Sequence, residues 1–175
     1  MRTVLLSAFA TLSVFSTVLF SSCKSEPCDD IICAYGGVCD DGSCKCQAGY
    51  EGTHCETMTY TKYEGIWYVT EDGTFSGPTQ YSISIVKGGK MNEIRIKNFY
   101  NKFTNDVIAE ITGTKLVIRK QSPLAGWYVE GYGELTPTSY YSQHATIKLY
   151  YNVIDDFGKK NDFGTSDGNP SVYVK

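Results

Sequence analysis

The stretch CDDIICAYGGVCDDGSCKCQAGYEGTHC, residues 28–55, decides how the rest of the chain is organised. It holds six of the seven cysteines, and residues 56–175 contain none. A segment this short cannot bury enough apolar surface to offset its own chain entropy, so it needs covalent cross-links. Six cysteines allow 15 pairings, and spacing alone does not choose among them.

Local turn signals accompany these cysteines. Asp41-Gly42 predicts a type I′ hairpin, since glycine accepts the positive φ that this turn requires. Gly49-Tyr50 and Gly52 predict an aromatic residue beside a tight turn. Cys-x-Cys spacing also occurs in zinc sites, but no histidine with zinc-type spacing accompanies it. We therefore expect disulfides in this stretch and no bound metal.

The end of the stretch resembles the signature of an EGF-like module of the short, tenascin-like type. The residues that carry the resemblance are Cys44-x-Cys46-x-x-Gly49-Tyr50-x-Gly52-x-x-Cys55. The resemblance implies a module over residues 28–56 that makes protein contacts. It also implies the disulfides Cys28–Cys39, Cys33–Cys44 and Cys46–Cys55. The residues before Cys28 differ from those of calcium-binding EGF-like modules, so no calcium is assigned to the module.

Residues 1–22 have the pattern of a signal peptide. Arg2 provides the positive start, and residues 4–20 form an apolar run interrupted only by serine and threonine. Leu19-Phe20-Ser21-Ser22-Cys23 resembles a bacterial lipobox, which implies acylation of Cys23 by chains such as palmitate. Acylation also accounts for the one cysteine outside the module. The alternative is ordinary cleavage that leaves a free Cys23.

An acylated Cys23 would place the protein on a membrane through a short tether, residues 23–27. Lys24 stands where an aspartate is the usual inner-membrane retention signal, so the resemblance favours the outer membrane. Whether the protein faces the periplasm or the outside stays open.

Residues 57–175 are predicted to form a mainly β domain. They hold 12 of the 14 tyrosines, and apolar and polar residues alternate in short runs separated by turn residues. We predict eight antiparallel strands, the first over residues 63–70 and followed by a turn at Glu71-Asp72-Gly73. An up-and-down meander of this size favours a small closed barrel, and a two-sheet sandwich is the alternative. Thr57–Thr61 is expected to be a short, stiff link from the module.

Gly65-Ile66-Trp67 on the first strand resembles the lipocalin-like superfamily, in which that tryptophan packs across the barrel floor. The last strand ends at the C-terminus, so it could pair with the first strand and close the ring. The chain as a whole resembles bacterial surface lipoproteins that carry one EGF-like module ahead of a small β domain.

The sequence offers little for catalysis. Neither His54 nor His144 belongs to a recognisable catalytic motif, and no nucleophile, zinc-protease or phosphate-loop pattern is present. We therefore predict neither an enzyme nor a cofactor. Without Arg2, 15 basic residues stand against 19 acidic ones, a net charge of −4, and no basic cluster favours nucleic acid.

Binding is the chemistry that the β domain favours. Aromatic side chains could stack on sugars, and the candidates are Trp127, Tyr128, Tyr140 and Tyr141. Residues 155–169 repeat Asp-Phe-Gly and form the longest irregular stretch. This stretch is either a calcium or ligand loop or, as we expect, a polar connection in which Phe157 and Phe163 pack down as anchors.

Two functions follow from these patterns. The first is a membrane-anchored surface lipoprotein with a non-enzymatic binding or adhesion role toward an envelope protein or glycan, in which the EGF-like module is a spacer and a protein-contact unit. The second is a lipocalin-like carrier of a small apolar or glycan ligand. A cavity of roughly 300 Å³ or more inside the barrel would favour the carrier.

Acylation of Cys23 leads to a direct prediction. Cys23→Ser should release the protein from the membrane fraction and leave the β domain folded, because Cys23 precedes both predicted cores. Fractionation followed by immunoblotting, with circular dichroism of the released protein, measures both effects. A serine variant that stays with the membranes would show that the lipobox assignment is wrong.

Overall fold

The computed structural model describes residues 26–139 and 144–175. The predicted signal peptide, Cys23, Tyr140 and Tyr141 lie outside these residues. Three disulfides cross-link the first part of the described chain: Cys28–Cys39, Cys33–Cys44 and Cys46–Cys55. This is the pairing that the EGF-like resemblance implies, and it leaves none of the six thiols for zinc. Each such bridge typically contributes about 2–5 kcal/mol in a small secreted domain.

Two small hairpins form the disulfide-linked module. Val38–Asp40 (β1) pairs with Ser43–Lys45 (β2) through a turn at Asp41 and Gly42, whose φ angles of 47° and 79° are those of the predicted type I′ turn. Tyr50–Glu51 (β3) pairs with Thr57–Met58 (β4). β4 therefore lies just beyond the predicted boundary at residue 56 and pairs back onto the module.

The rest of the described chain is β-sheet with two short 3-10 helices. The helices are Thr59–Lys62 and Phe99–Asn101. The strands are Gly65–Glu71 (β5), Thr79–Lys87 (β6), Glu93–Lys97 (β7), Val107–Thr112 (β8), Lys115–Leu124 (β9), Trp127–Thr136 (β10), Thr146–Ile154 (β11), Lys160–Phe163 (β12) and Ser171–Val174 (β13). No helix within residues 26–139 and 144–175 has the length and apolar character to cross a membrane.

The sheet closes into an antiparallel barrel of eight strands, as predicted. Strands β5 to β11 follow one another as an up-and-down meander, and β13 pairs with both β11 and β5 to complete the ring. The sandwich alternative is therefore wrong. Closure explains the alternation read from the sequence, since one face of every strand must pack in the interior and the other must face solvent.

Large side chains fill the interior. The fully buried set includes Trp67, Tyr63, Tyr151, Tyr173, Phe99 and Phe163. Two inward-facing glycines on β10 make room for them. A Cβ at Gly131 would lie 2.5 Å from the Tyr151 Cβ, and one at Gly133 would lie 2.9 Å from the Leu149 Cδ1. At these two positions β11 comes closer to β10 than a Cβ atom would allow, and large side chains fill the centre of the barrel.

One end of the barrel, which we call the closed end, is covered by the first 3-10 helix. The Trp67 indole Nε1 donates to the Tyr63 carbonyl oxygen at 2.7 Å, just after this helix. The Tyr63 hydroxyl donates across the barrel to the Gly113 carbonyl oxygen in the β8–β9 turn at 3.1 Å. Trp67 thus packs at this end, as the Gly-x-Trp resemblance implies.

The disulfide-linked module docks on the closed end. Glu51 of β3 forms an ion pair with Lys62 of the first 3-10 helix, with a Nζ–Oε1 distance of 2.7 Å. The Thr59 amide donates to the Gly49 carbonyl oxygen at 2.9 Å. Gly49 is buried against the β6–β7 loop, where an added Cβ would lie 2.4 Å from the Met91 carbonyl carbon. The predicted link Thr57–Thr61 is accordingly ordered into β4 and the 3-10 helix.

The long polar segment before the last strand differs from its prediction. The middle of this segment forms β12. Strand β12 pairs with residues 151–154 of β11, and β13 pairs with residues 146–149, so the two strands lie end to end along β11. Residues 164–170 form the loop between them. Phe163 is buried, as expected, and stacks on Tyr151 with ring centroids 4.3 Å apart. Phe157 is 91% exposed, so its predicted role as an anchor is wrong. It lies in the β11–β12 turn, outside the packed interior of the barrel.

The junction between module and barrel depends on Gly49. Gly49→Ala should lower the free energy of unfolding by about 1–3 kcal/mol, because Gly49 has a φ of 92° and its Cβ position overlaps Met91. Hydrogen exchange should show the loss of protection centred on residues 88–92.

The matched control is Gly42→Ala in the same module. Gly42 also has a positive φ, but the nearest atom to its Cβ position is the Pro27 carbonyl oxygen, 3.6 Å away and far from the barrel in sequence. This variant should leave exchange at residues 88–92 unchanged. Equal deprotection of that loop in both variants would contradict a direct Gly49–Met91 contact.

Candidate ligand-binding site

A carboxylate lies inside the barrel at the end opposite the closed end. Inward-facing residues of β5 alternate as Trp67, Val69 and Glu71, all of them buried. The sequence analysis placed Glu71 in a turn, and that prediction is wrong: Glu71 is the last residue of β5 and only 4% exposed. Since β5 runs away from the closed end, its last inward side chain stands where the barrel opens.

Three hydroxyl groups from three strands surround the Glu71 carboxylate. The Tyr151 and Ser171 hydroxyls donate to Oε2 at 2.7 and 2.8 Å, and the Tyr81 hydroxyl donates to Oε1 at 3.1 Å. All three donors are neutral, and no ion pair to Glu71 occurs among residues 26–139 and 144–175. The buried Tyr173 hydroxyl has no hydrogen-bond partner in the described part of the chain.

Burial controls the titration of this group. It raises the pKa of the Glu71 carboxyl above its ordinary value, and the hydroxyl donors offset only part of the effect. Burial likewise raises the pKa values of the Tyr81 and Tyr151 hydroxyls, and the nearby Glu71 charge raises them further. A raised carboxyl pKa in an open cleft is typical of functional sites.

The loops at this end form the mouth of the barrel. We define the mouth as the β5–β6, β7–β8, β9–β10 and β11–β12 connections, residues 72–78, 98–106, 125–126 and 155–159. A cleft of about 260 Å³ opens there, with Glu71 in its wall; its other residues are Ser76, Thr79, Tyr100, Asn101 and Lys102. A neighbouring cleft of about 130 Å³ shares Ser76 and Tyr100 and extends to Phe75, Trp127, Asp155 and Lys159.

Asn161 of β12 holds the mouth loops in place. Its amide nitrogen donates to the Ser76 and Tyr100 hydroxyls at 2.9 and 3.0 Å, and its Oδ1 accepts the Phe75 amide at 2.8 Å. Tyr100 has a left-handed backbone, with a φ of 59°, and its ring packs edge-on against Phe163. Because Asn161 is buried, these bonds fix the position of the β5–β6 and β7–β8 loops relative to β12.

Lysines cover two aromatic rings at the mouth. The Lys102 Nζ lies 3.8 Å from the centroid of the Trp127 ring, and the Lys159 Nζ lies 4.0 Å from that of Phe75. Cation–π contacts of this kind contribute about 0.5–1 kcal/mol at exposed sites. The mouth therefore combines aromatic faces, ammonium groups, amides and one buried carboxylate.

The predicted ligand-binding aromatics do not form one surface. Trp127 lines the mouth, and its ring centroid is 6.4 Å from that of Tyr100. Tyr128 follows it on β10 and faces outward, 44% exposed, beneath the ammonium group of Lys120. Tyr140 and Tyr141 lie outside the described residues. Sequence reasoning missed Glu71, Tyr100 and Asn161; the period-two spacing from Trp67 and Val69 was the signal that could have found Glu71.

The outer wall of the barrel has a wider groove. It measures about 500 Å³ and runs over β9 and β10, where Arg119, Glu130, Tyr132 and Thr165 line it. Arg119 is already held by Glu110 through two hydrogen bonds of 2.8 Å. The groove is open to solvent and contains no unsatisfied buried group, so we regard the mouth as the stronger candidate site.

Asp162 organises the loop of residues 164–170. The Thr165 and Ser166 hydroxyls donate to the Asp162 carboxylate at 2.6–2.8 Å, and the Lys160 ammonium lies 2.7 Å from Oδ2. Burial disfavours the charge, but hydrogen bonds from Lys160, Ser166 and Thr165 outweigh it and lower the pKa of Asp162. Within residues 26–139 and 144–175, no group of three or more His, Cys, Asp or Glu is placed to bind a metal ion.

Comparison with known proteins does not assign the chain to a family. No protein-family model matches the chain, and no curated protein shows significant similarity to it.

The titration of Glu71 leads to a stability prediction. Because its folded pKa is raised above the unfolded value of about 4.3, the folded protein holds the proton more tightly. Stability should therefore fall as pH rises from about 4.3 through the folded pKa, by about 1.4 kcal/mol for each unit of the shift, and then level off. Glu71→Gln has the same volume and no titrating proton, so it should lack this loss.

Chemical denaturation of both proteins between pH 4 and pH 8 measures the difference. The Tyr81, Tyr151 and Tyr173 hydroxyls face Glu71 but titrate above this range, because burial raises their pKa values. The stability of Glu71→Gln relative to wild type should rise across the range. A fall would contradict the raised pKa.

Proposed function

We propose that the chain is a membrane-anchored, non-enzymatic binding protein of the bacterial envelope, in which the mouth of the barrel contacts an envelope protein or glycan. In this proposal Cys23 carries the lipid, the outer membrane is the site of anchoring, and the EGF-like module is the spacer. The observation that carries the proposal is the position of the module: it contacts the closed end and leaves the mouth at the opposite end of the barrel.

The order of elements supports this orientation. Cys23 precedes the first module cysteine by five residues, so a lipid there would tether the chain on the module's side. The module is tied to the first 3-10 helix and to the β6–β7 loop, both at the closed end. A tether at this end leaves the four mouth loops accessible to a partner.

The mouth also has the side chains that a contact surface needs. Phe75 and Phe157 are 62% and 91% exposed, so they present large apolar rings of the kind enriched at protein interfaces. Asn161 and the Lys102 and Lys159 ammonium groups add polar contacts around them. Since side chains fill the barrel, a ligand would lie across the mouth rather than inside the barrel.

The carrier function is a weaker alternative. The mouth cleft that reaches Glu71 has a volume of about 260 Å³ and opens to solvent, whereas carriers enclose most of the ligand surface. Exposed apolar residues of the module favour a further protein contact, as expected for a protein-contact unit: Ile32 is 85% exposed and Val38 is 67% exposed.

A binding screen with rim variants tests the proposal. Full-length protein is presented to a glycan array and to solubilised envelope proteins, and each captured ligand is titrated against Phe75→Ser and Phe157→Ser. Both variants should weaken binding at least tenfold without loss of thermal stability, because the two rings are exposed.

The control is Tyr68→Ser on the outer face of β5, where a ring of similar size is 69% exposed. It should bind like the wild type. Capture that is insensitive to both rim variants but lost in Tyr68→Ser would move the binding surface to the outer wall and overturn the proposal.

A further inference from the structure

The Glu71 carboxylate is buried without a cation. Carboxylates are seldom buried unless a positive group neutralises them, since removing a charge from water costs several kcal/mol. Glu71 is 4% exposed, accepts hydrogen bonds from three neutral hydroxyls, and forms no ion pair within residues 26–139 and 144–175. Whenever this carboxyl group is ionised, the described part of the barrel therefore offers it no balancing positive charge.

From this imbalance we propose that the mouth cleft recognises an organic ammonium group, such as a primary amine carried by the ligand, through an ion pair with Glu71. The inference rests on the proposed function, because it names the chemistry that the mouth would recognise.

The carboxylate has a free position for such a group. A carboxylate offers about four lone-pair positions on its two oxygens. Oε2 accepts from Tyr151 and Ser171, whereas Oε1 accepts only from Tyr81. The remaining position is on Oε1, and Glu71 lines the 260 Å³ cleft that opens to solvent at the mouth. An ammonium group that enters the cleft can donate to Oε1 without displacing any of the three hydroxyls.

The walls of the cleft suit an ammonium group and the carbon atoms attached to it. Tyr100 provides aromatic surface in the wall of the cleft, and aromatic faces attract cations. The Ser76 and Thr79 side chains line the same cleft and can accept the remaining ammonium hydrogens. The cleft volume of about 260 Å³ admits a small amine or the end of a larger ligand. The Glu71 carboxylate makes a cationic group the preferred one.

A divalent metal fits less well. Calcium takes six to eight oxygen ligands and magnesium needs a nearly ideal octahedron. Glu71 is the single carboxylate that lines the cleft, and the residues around it are hydroxyl, amide and ammonium groups. An ammonium group needs only one carboxylate and a few acceptors, so it matches what the cleft offers.

Lys102 supplies the opposing charge for a test. It lines the same cleft, but its Nζ lies on the Trp127 ring. It forms no ion pair in the described part of the chain. A cation at Glu71 should therefore be repelled by Lys102, whereas an anion would be attracted by it. Removing the charge of Glu71 and removing the charge of Lys102 should therefore have opposite effects on the binding of a cation, and likewise on that of an anion.

The experiment uses three probes of one shape and different charge: 2-phenylethylamine, 2-phenylethanol and phenylacetate. Each is titrated calorimetrically into detergent-solubilised full-length wild type, Glu71→Gln and Lys102→Gln. We expect wild type to bind the amine at least tenfold more tightly than the alcohol. Glu71→Gln should abolish that difference and leave alcohol binding unchanged, and Lys102→Gln should strengthen amine binding. In NMR spectra, the backbone amide chemical shifts that change when the amine is added should centre on residues 71, 79 and 100.

Several results would overturn the inference. One is that wild type binds the amine and the alcohol equally, or binds none of the three probes. Another is that phenylacetate binds most tightly and its binding is lost in Lys102→Gln. A third is that the changes in amide chemical shift are confined to the outer-wall groove. None of them touches the proposed function, which the rim variants test with captured ligands. If the rim variants leave capture intact while Glu71→Gln still abolishes amine selectivity, the proposed function fails and the ammonium site stands.

Discussion

The pairing of β13 with both β5 and β11 is the constraint on which the rest of the structure depends. It turns a meander into a ring, so the inner faces of eight strands must share one interior. In an open sheet, the last inward residue of β5 would lie in solvent, and a glutamate there would need no explanation. In the closed barrel, that residue is Glu71, and it is buried beside hydroxyls from β6, β11 and β13.

Most of the architecture could be predicted from local patterns. Period-two alternation, turn residues and the C-terminal position of the last strand sufficed for eight strands and a closed ring, because each signal is short-range or follows from sheet geometry. The disulfide pairing came from resemblance, since six cysteines leave 15 pairings open on spacing alone. Strand β4 was not predicted because no cysteine marks it; it forms by backbone pairing with Tyr50 and Glu51 of β3.

The candidate site was only partly predictable. Alternation on β5 contained Glu71, but an acidic residue before Asp72-Gly73 is also typical of a turn. Its hydroxyl donors at Tyr151 and Ser171 lie 80 and 100 residues further along the chain, so only the folded ring brings them together. Asn161 was hidden for the same reason: its partners at Ser76 and Tyr100 are 85 and 61 residues away. Trp127 was predicted because aromatic residues at strand ends are visible without knowledge of partners.

The docking of the module on the closed end has a mechanical consequence. If the chain is tethered through residue 23, tension enters the barrel through three disulfide-linked loops that cannot extend, and then through the 3-10 helix at Thr59–Lys62. The first ladder to bear load is that of β5 with β6 and β13, at the end that begins with Gly65. In the proposed orientation a partner holds the mouth, so the same tension leaves the barrel through the loops that Asn161 joins to β12. These buried hydrogen bonds and the Glu51–Lys62 contact at the closed end would then carry the load in series.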